Sequence, residues 1–451
     1  MVAGIIALFL FSFRLGSRSL NSDEIYSASL VRQPTREIWR VVILEQTNMA
    51  PYYFILKAWT VFFGTSPVAI RSLSVIFAAI AVSFLFVLAR RLFGDVVARL
   101  SAIFLTVNSL FLFSAQEARA YALVVLTATA AMWLLVRLLD DGAVRSAVFL
   151  AAVSAFGAYC HFYFILLIPG LMLSVIAHPL WRSRRNLLLL SSGLLCAQLV
   201  PLATFIVTRD AGQIDWITKP SLIDLVNMAR SYSGPRPRPV GPLILCTALL
   251  ALAVWSRDLV RRGAEWRVTM LASALLTPVL LAVAVTYSVK PILNTQYLIV
   301  TLPAFCVLVA RGALLLPWRP LMWLAVLAAL AAPSAYFRTP DTNGWEPIAD
   351  RVFHQAQPAD KIIFQYIFLR RPFDYYRSHQ AWPEPAGPPW GHLSMLPHEP
   401  LACEGIRPGD RVWIVGAAPT CLTRLTILTT VSGPGSYTQV QLVRAESVQT
   451  Q

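Results

Sequence analysis

Runs of apolar residues with no charged side chain recur along this chain, and they constrain its fold more than any other feature. Leu73–Ala89 and Leu187–Val207 are two of them. At ~1.5 Å per residue, a helix of that length reaches, or nearly reaches, across a hydrocarbon core of ~30 Å. A helix on the surface of a water-soluble domain is apolar along one stripe only, so runs apolar on every side read as spans. The composition agrees: 57% of the 451 residues are hydrophobic and 14% are charged, with a mean hydropathy of +0.61. A soluble domain carries about 25% charged residues.

Hydropathy predicts about eleven spans. They fall near Val2–Phe13, Ser72–Ala89, Leu100–Ser114, Tyr121–Val136, Ala147–Tyr159, Tyr163–His178, Leu187–Val207, Pro242–Trp255, Val268–Tyr287, Tyr297–Ala310 and Leu321–Tyr336. Met1–Phe13 lacks the cationic start and small-residue cleavage site of a signal peptide and reads as an uncleaved first span. Alternate loops gather arginines: Arg90, Arg91 and Arg99; Arg137 and Arg145; Arg182, Arg184 and Arg185; Arg257, Arg261, Arg262 and Arg267; Arg311 and Arg319. The short opposite loops offer Arg119 and Lys290. By the positive-inside rule the arginine-rich side is cytoplasmic. The net charge of +15 is therefore a topology signal rather than a nucleic-acid footprint. The first long loop (residues 14–71), Thr208–Gly241 and the tail then face outward.

The expected architecture is an α-helical polytopic membrane domain over residues 1–337, with juxtamembrane helices in the first outer loop, and a small α/β extracytoplasmic domain over residues 338–451. In the loop, Asp23–Arg32, Thr35–Glu45 and Pro51–Phe63 have helical spacing; Ile25, Leu30, Ile38, Val42 and Ile43 would rest on the membrane. In the tail, Trp345–Gln355 reads as a helix, and Pro358–Phe364, Pro408–Val415 and Tyr437–Val443 as strands with their turns. Cys160, Cys196, Cys246 and Cys306 lie in or beside spans as packing residues. Cys403 and Cys421, if outside the cytoplasm, have the redox setting for a disulfide.

Polar groups at a membrane surface are costly unless they serve something. Asp23 and Glu24 open the first outer helix, where Asn21 or Ser22 can cap and the helix dipole favours acids. That helix-start role is the plain reading of such a pair taken alone. It weakens in company: the next outer loops bring Gln116, Glu117, Arg119 and Tyr121, then His161, then Lys290, Asn294, Gln296 and Tyr297, and Arg71 stands at the outer start of the second span. Carboxylates take protons from hydroxyls, and Arg or Lys holds phosphate. Taken singly, Arg119 fits a surface ion pair, His161 a hydrogen-bonded packing residue, and Lys290 a snorkelling cation.

The segments Leu20–Leu30 (LNSDEIYSASL), Asn48–Gly64 (NMAPYYFILKAWTVFFG), Ala69–Val82, Ser114–Leu123 (SAQEARAYAL), Cys160–Phe164 and Lys290–Phe305 (KPILNTQYLIVTLPAF) resemble, in order and spacing, the membrane-embedded glycosyltransferases of family 39 type, of C-type fold. Protein O-mannosyltransferases and lipid A aminoarabinose transferases belong there. The tail segment Asn343–Phe364 is similar to the tails of bacterial relatives. The resemblance implies transfer of a sugar from a polyprenyl-phosphate donor to a hydroxyl of a lipid, glycan or protein, with inversion, at the outer face of the cytoplasmic membrane. Asp23 would be the general base with Glu24 beside it. Arg119 and Lys290, then Arg71, would hold the phosphate; Glu117, His161, Tyr297, Tyr26, Asn48, Tyr52 and Tyr53 would bind donor or acceptor. No cofactor or metal is expected as obligatory, and a divalent cation is left open. Two departures stand out: one proline, Pro51, replaces the usual pair, and Gln296 precedes Tyr297 where many relatives carry Arg, which shifts weight to Lys290.

Two other classes compete. A transporter or flippase of a lipid-linked or anionic substrate would carry ionisable groups near the bilayer midplane, often in paired halves. An accessory protein would depend on its tail more than on its outer-face charges. Neither the sugar, the acceptor, metal dependence, oligomeric state nor the true N-terminus is legible.

Overall fold

The computed structural model describes residues 2–44, 49–208, 217–233, 265–315, 319–338, 344–357, 360–364, 367–377, 406–416, 422–432 and 439–448, with Leu249 and Ala253. The chain forms two compact units. One contains Met1–Leu15, Asn48–Trp59 and Ala69–Arg338; the other contains Gly16–Thr47, Thr60–Val68 and Thr339–Gln451. The first outer loop thus divides, most of it grouping with the tail rather than with the spans.

The first unit is helical. Its helices are α1 (Val2–Ser12), α4 (Ala50–Phe63), α5 (Pro67–Phe93), α6 (Asp95–Val107), α7 (Ser109–Ala115), α8 (Tyr121–Asp141), α9 (Val144–Cys160), α10 (Leu167–Ile176), α11 (Arg185–Thr208), α12 (Leu222–Ser233), α13 (Trp266–Ser288), α14 (Leu302–Leu315) and α15 (Arg319–Arg338). The ends of α4 and α5 belong to the second unit. Five helical segments are each long and apolar enough to cross a bilayer: Pro67–Phe93, Tyr121–Asp141, Arg185–Thr208, Trp266–Ser288 and Tyr297–Leu315. α6 and α7 make a sixth as a pair bent by 64° at Asn108, whose side chain caps α7 by accepting from the Phe111 N–H. Every other span read from hydropathy has a helix at its place except Pro242–Trp255, which apart from Leu249 and Ala253 lies outside the described residues. Val2–Ser12, Val144–Cys160 and Phe162–Ile176 are shorter apolar helices, so length and composition support up to six crossings among the described residues.

Apolar helices leave their last carbonyls unpaired, and polar side chains in the connectors take them up. Gln116, 8% exposed, donates from Nε2 to the carbonyls of Phe11 and Phe13, at 2.8 Å each. Its Oε1 accepts from the Tyr336 hydroxyl at 3.1 Å. One amide therefore joins α1, α15 and the connector before α8. Arg14 donates to the Phe337 carbonyl at 3.3 Å. At the other end of α8, Gly142 closes the helix in the left-handed region (φ 62°), and Arg184 donates to the carbonyls of Leu139 and Asp140.

In the second unit, α2 (Ser22–Arg32) and α3 (Thr35–Leu44) accompany the tail. The tail holds α16 (Trp345–Gln355), α17 (Ile367–Arg377) and a sheet in the order β1 (Lys361–Phe364), β2 (Arg411–Val415), β4 (Gln439–Val448), β3 (Leu422–Ser432). β1 pairs parallel with β2; β2 with β4 and β3 with β4 pair antiparallel. Ile363, Val412, Ile414, Val443 and Ala445 form its core. The α17 side of the tail holds α2: the Arg371 guanidinium lies 4.6 Å from the Tyr26 ring, and the Trp345 indole donates to Ser22 Oγ at 3.2 Å.

This packing corrects the expected membrane-resting face. Ile25, Leu30, Ile38 and Val42 are 0–8% exposed, covered by protein rather than left for lipid. Ile43 is exposed, and so are Trp39 and Leu44, which the apolar spacing did not single out. Cys403 and Cys421 lie outside the described residues.

Gln116→Leu removes three hydrogen bonds at one buried point and leaves two carbonyls without the amide. Each buried unsatisfied group costs ~1–3 kcal/mol. The variant is expected to melt at a clearly lower temperature than the parent in detergent, measured by intrinsic fluorescence, whereas the exposed control Gln198→Leu leaves the melt unchanged.

Candidate functional site

The residues expected to carry chemistry divide between the two units. In the second unit, Asn21 is the N-cap of α2: its Oδ1 accepts from the Glu24 N–H at 2.8 Å, and Glu24 Oε2 accepts from the Asn21 N–H at 3.1 Å. This reciprocal capping box resolves the choice between Asn21 and Ser22. It engages Glu24, 2% exposed, at the helix start. Asp23, next to it in the first turn, is exposed. Tyr26 is buried one turn along, under Arg371.

In the first unit, three connectors bring polar and aromatic groups together. Glu117 and Arg119 lie in the tight turn before α8, where the Arg119 N–H donates to the Glu117 carbonyl at 2.8 Å. Arg119 Nη1 donates to the Tyr53 hydroxyl of α4 at 3.1 Å. Ser74 of α5, fully buried, donates to the Arg119 carbonyl at 3.3 Å and lies 3.1 Å from the Tyr52 hydroxyl. Tyr52 and Tyr53 thus hold Arg119 from both ends: one acts directly on the guanidinium, the other through Ser74 on the backbone. Ser74 was missed in the sequence because a serine within an apolar run carries no pattern of its own.

Glu117, 4% exposed, accepts at Oε2 from Gln296 Nε2 at 2.8 Å. Gln296 belongs to the turn between α13 and the 3-10 turn Tyr297–Thr301; its own N–H donates to Asn294 Oδ1 at 2.9 Å. The neighbouring Tyr297 stacks on Tyr121, with ring centres 6.4 Å apart and planes at 22°.

His161 joins the third connector to this pair. Its ring centre lies 5.1 Å from Tyr297, 5.7 Å from Tyr121 and 5.4 Å from Tyr163. Nδ1 accepts from the Tyr163 N–H at 3.3 Å, which leaves the proton of the neutral ring on Nε2. Nε2 is buried and finds no hydrogen-bond partner among the described residues. Burial, and then the nearby Arg119 charge, pull the imidazole down to about 3. His161 is therefore a neutral donor, not a base or a cation.

Arg71 and Lys290 each make a hydrogen bond to a backbone carbonyl. Arg71, buried in α5, donates to the Leu15 carbonyl at 3.0 Å. Lys290, half-buried, follows α13 and is anchored by its backbone N–H to the Val285 carbonyl at 3.0 Å. Asn48 lies outside the described residues. Among the described residues no group of three or more His, Cys, Asp or Glu side chains gathers as a metal site.

Residues 49–207 match the family model described as dolichyl-phosphate-mannose-protein mannosyltransferase. No curated protein matches the sequence. The structure matches that of ArnT from Cupriavidus metallidurans bound to undecaprenyl phosphate with a TM-score of 0.57 at 12% identity, over 100% of this chain and 99% of that one. Its fold is that of ArnT. The apo ArnT structure from the same organism matches with a TM-score of 0.52 at 16% identity, over 78% of this chain and 69% of that one. The oligosaccharyltransferase of Archaeoglobus fulgidus, in complex with Zn and sulfate, matches with a TM-score of 0.51 at 10% identity, over 83% of this chain and 61% of that one. The family-model match runs from the start of α4 into α11, so the matched segment includes Tyr52, Tyr53, Arg71, Glu117, Arg119 and His161.

The state of His161 sets a pH dependence. In the unfolded chain an imidazole titrates near ~6.5. In the folded protein it does so at about 3. Between these values the unfolded chain binds the extra proton, so stability is full above pH ~6.5 and falls as pH drops toward 3. His161→Gln, which does not titrate, is expected to flatten the fall in melting temperature between pH 7 and pH 4 relative to the parent.

Proposed function

We propose that the protein transfers a sugar from a polyprenyl-phosphate carrier to an acceptor hydroxyl at the outer face of the cytoplasmic membrane. The observation that carries this reading is Arg119: a guanidinium held at its tip by Tyr53 and at its backbone by Ser74, inside the segment that matches the mannosyltransferase family model. A cation fixed before the reaction stabilises charge that develops on a leaving phosphate, because no reorganisation is needed as the bond breaks. The ArnT structure with undecaprenyl phosphate supports the choice of a lipid phosphate.

In this mechanism the Asp23 carboxylate takes the proton of the acceptor hydroxyl, and the oxygen attacks the anomeric carbon. The anomeric carbon–oxygen bond to phosphate breaks with inversion, and polyprenyl phosphate leaves. Asp23 suits the base role better than Glu24, whose carboxylate is engaged in the capping box while Asp23 is exposed. Arg119, with Lys290, steadies the leaving phosphate. Glu117 and the neutral Nε2–H of His161 bind hydroxyls of the sugar or the acceptor, a role that needs no change of charge. Arg71, which donates to the Leu15 carbonyl, also ties the fold together. The sugar is a hexose or a pentose; the family model favours mannose as the first donor to try. The acceptor is a glycan, lipid or protein of the cell envelope, and the tail faces outward.

The transporter reading has less support. Among the described residues of the first unit, the buried carboxylate and guanidinium groups, Glu117 and Arg71, sit in a connector and near the start of a helix rather than midway along a span.

Purified protein in lipid nanodiscs is expected to release polyprenyl phosphate from polyprenyl-phosphate mannose, or from another polyprenyl-phosphate sugar, when an acceptor is present. Asp23→Asn should abolish release with the melting temperature unchanged. Arg119→Gln should lower kcat by about 100-fold, the scale seen when one preorganised charge-stabilising group is lost. Full activity in Asp23→Asn would remove the proposed base.

A further inference from the structure

We infer that the tail positions the proposed base: Trp345 and Tyr376 hold the backbone entering α2 on either side of its N-cap, and so fix the helix end that carries Asp23. The hold is made within the second unit. Its catalytic consequence rests on the sugar-transfer reading above, with Asp23 as base.

The contacts bracket Asp23 along the chain. Before it, the Leu20 N–H donates to the Tyr376 hydroxyl at 3.1 Å, and Ser22 Oγ accepts from the Trp345 indole at 3.2 Å. One turn after it, the Tyr26 ring lies 4.6 Å from the Arg371 guanidinium. The two hydrogen bonds join residues 356 and 323 apart, so they tie α2 to the tail rather than to its own loop. The N-cap does a different job. The Asn21–Glu24 box closes the first turn upon itself, which fixes where the helix starts but not where the helix lies. The tail supplies that second restraint, and at the far end of α2 it does so again. Arg32 donates to Thr65 Oγ1 at 3.1 Å and lies 5.0 Å from the Tyr375 ring, whose hydroxyl donates to the Thr65 carbonyl at 3.3 Å.

The holder is itself fixed. Trp345 opens α16, and Arg371 and Tyr376 lie on α17. Phe373 of α17 packs edge-on against Trp345, Phe353 and Phe364, with ring centres 6.2, 5.8 and 5.2 Å away. Phe364 ends β1, so one aromatic seam runs from the sheet to the residues that grip α2. A general base works only within hydrogen-bond reach of the proton it takes. A misplacement of ~1 Å can cost ~100-fold in rate. Trp345 and Tyr376 are therefore positioning residues: they act on the rate through the place of the Asp23 carboxylate.

The test removes the hold and keeps the rings. Tyr376→Phe deletes the hydroxyl that accepts from Leu20, and Trp345→Phe deletes the N–H donated to Ser22. Ile414→Val is the control: Ile414 is fully buried in the tail sheet, so the change loosens the tail core without touching these contacts. Hydrogen–deuterium exchange of the full chain in nanodiscs reads the hold without substrate. Peptides covering residues 18–26 should exchange about tenfold faster in Tyr376→Phe and in Trp345→Phe, the scale of one lost hydrogen bond, and as in the parent in Ile414→Val. Turnover is then measured with polyprenyl-phosphate mannose, or another polyprenyl-phosphate sugar that the parent uses, and a cell-envelope extract as acceptor. Tyr376→Phe should lower kcat about tenfold with the donor KM unchanged, and Ile414→Val should keep both. In an Asp23→Glu background, where the carboxylate is already displaced by one methylene, Tyr376→Phe should cost less than about twofold; in an Arg119→Gln background it should cost the full factor, since independent effects add.

Parent-like exchange of residues 18–26 in both Tyr376→Phe and Trp345→Phe overturns the hold. Faster exchange with an unchanged kcat overturns the positioning role and leaves a structural tie. A loss of the same size in the Asp23→Glu background as in the parent does so too. If the parent releases no polyprenyl phosphate from any polyprenyl-phosphate sugar, the transfer reading fails instead, and the exchange data alone decide whether the tail holds α2.

Discussion

Water is scarce at the ends of apolar helices, so every carbonyl and N–H left over there needs a protein partner. The connectors of the first unit are built around this need. Gln116 takes two carbonyls at the end of α1 and a hydroxyl from α15. Arg71 takes the Leu15 carbonyl, and Thr286 Oγ1 accepts from the N–H groups of Ile292 and Leu293. The polar residues of the outer connectors are therefore of two kinds that a sequence cannot tell apart: those that finish helices and those left to meet a substrate.

That distinction separates what was legible in the sequence from what was not. Helix positions were readable because apolar periodicity and proline and glycine punctuation are local. α4 starts at Ala50 and ends before Gly64, and α16 covers Trp345–Gln355. The direction of a side chain is not local. Ile25, Leu30, Ile38 and Val42 show the spacing of an apolar stripe, but spacing does not say whether lipid or protein covers it; here protein does. In the same way Arg71 and Arg119 look alike in sequence. One is engaged by a helix-end carbonyl, while the other is supported by Tyr53 and Ser74. The grouping of the first outer loop with the tail depends on contacts such as Tyr26 with Arg371, which no pattern within the loop announces.

The partners of the site residues share a chemical character. Glu117 meets an amide, Arg119 a phenol and a serine hydroxyl, and His161 a backbone N–H and tyrosine rings. These neutral partners fix the direction of the groups they meet. The arginine-rich connectors hold ion pairs instead: Arg91 pairs with Asp140 and Asp141, and Arg137 pairs with Asp141. Those exposed pairs fasten helices and leave little net field.

The link between Glu117 and Gln296 spans 179 residues, and so it also spans time. At a synthesis rate of ~5–20 residues per second, the ribosome completes the Glu117 connector roughly 10–40 s before Gln296 emerges. During that interval Tyr121 lacks the stacking partner that Tyr297 will bring, and His161 lacks one wall of its aromatic surround. The early helices are inserted while the cluster is still incomplete. A chain ending within α13 would carry most of the described helices but no finished cluster, so the cluster is completed only by the turn that follows α13.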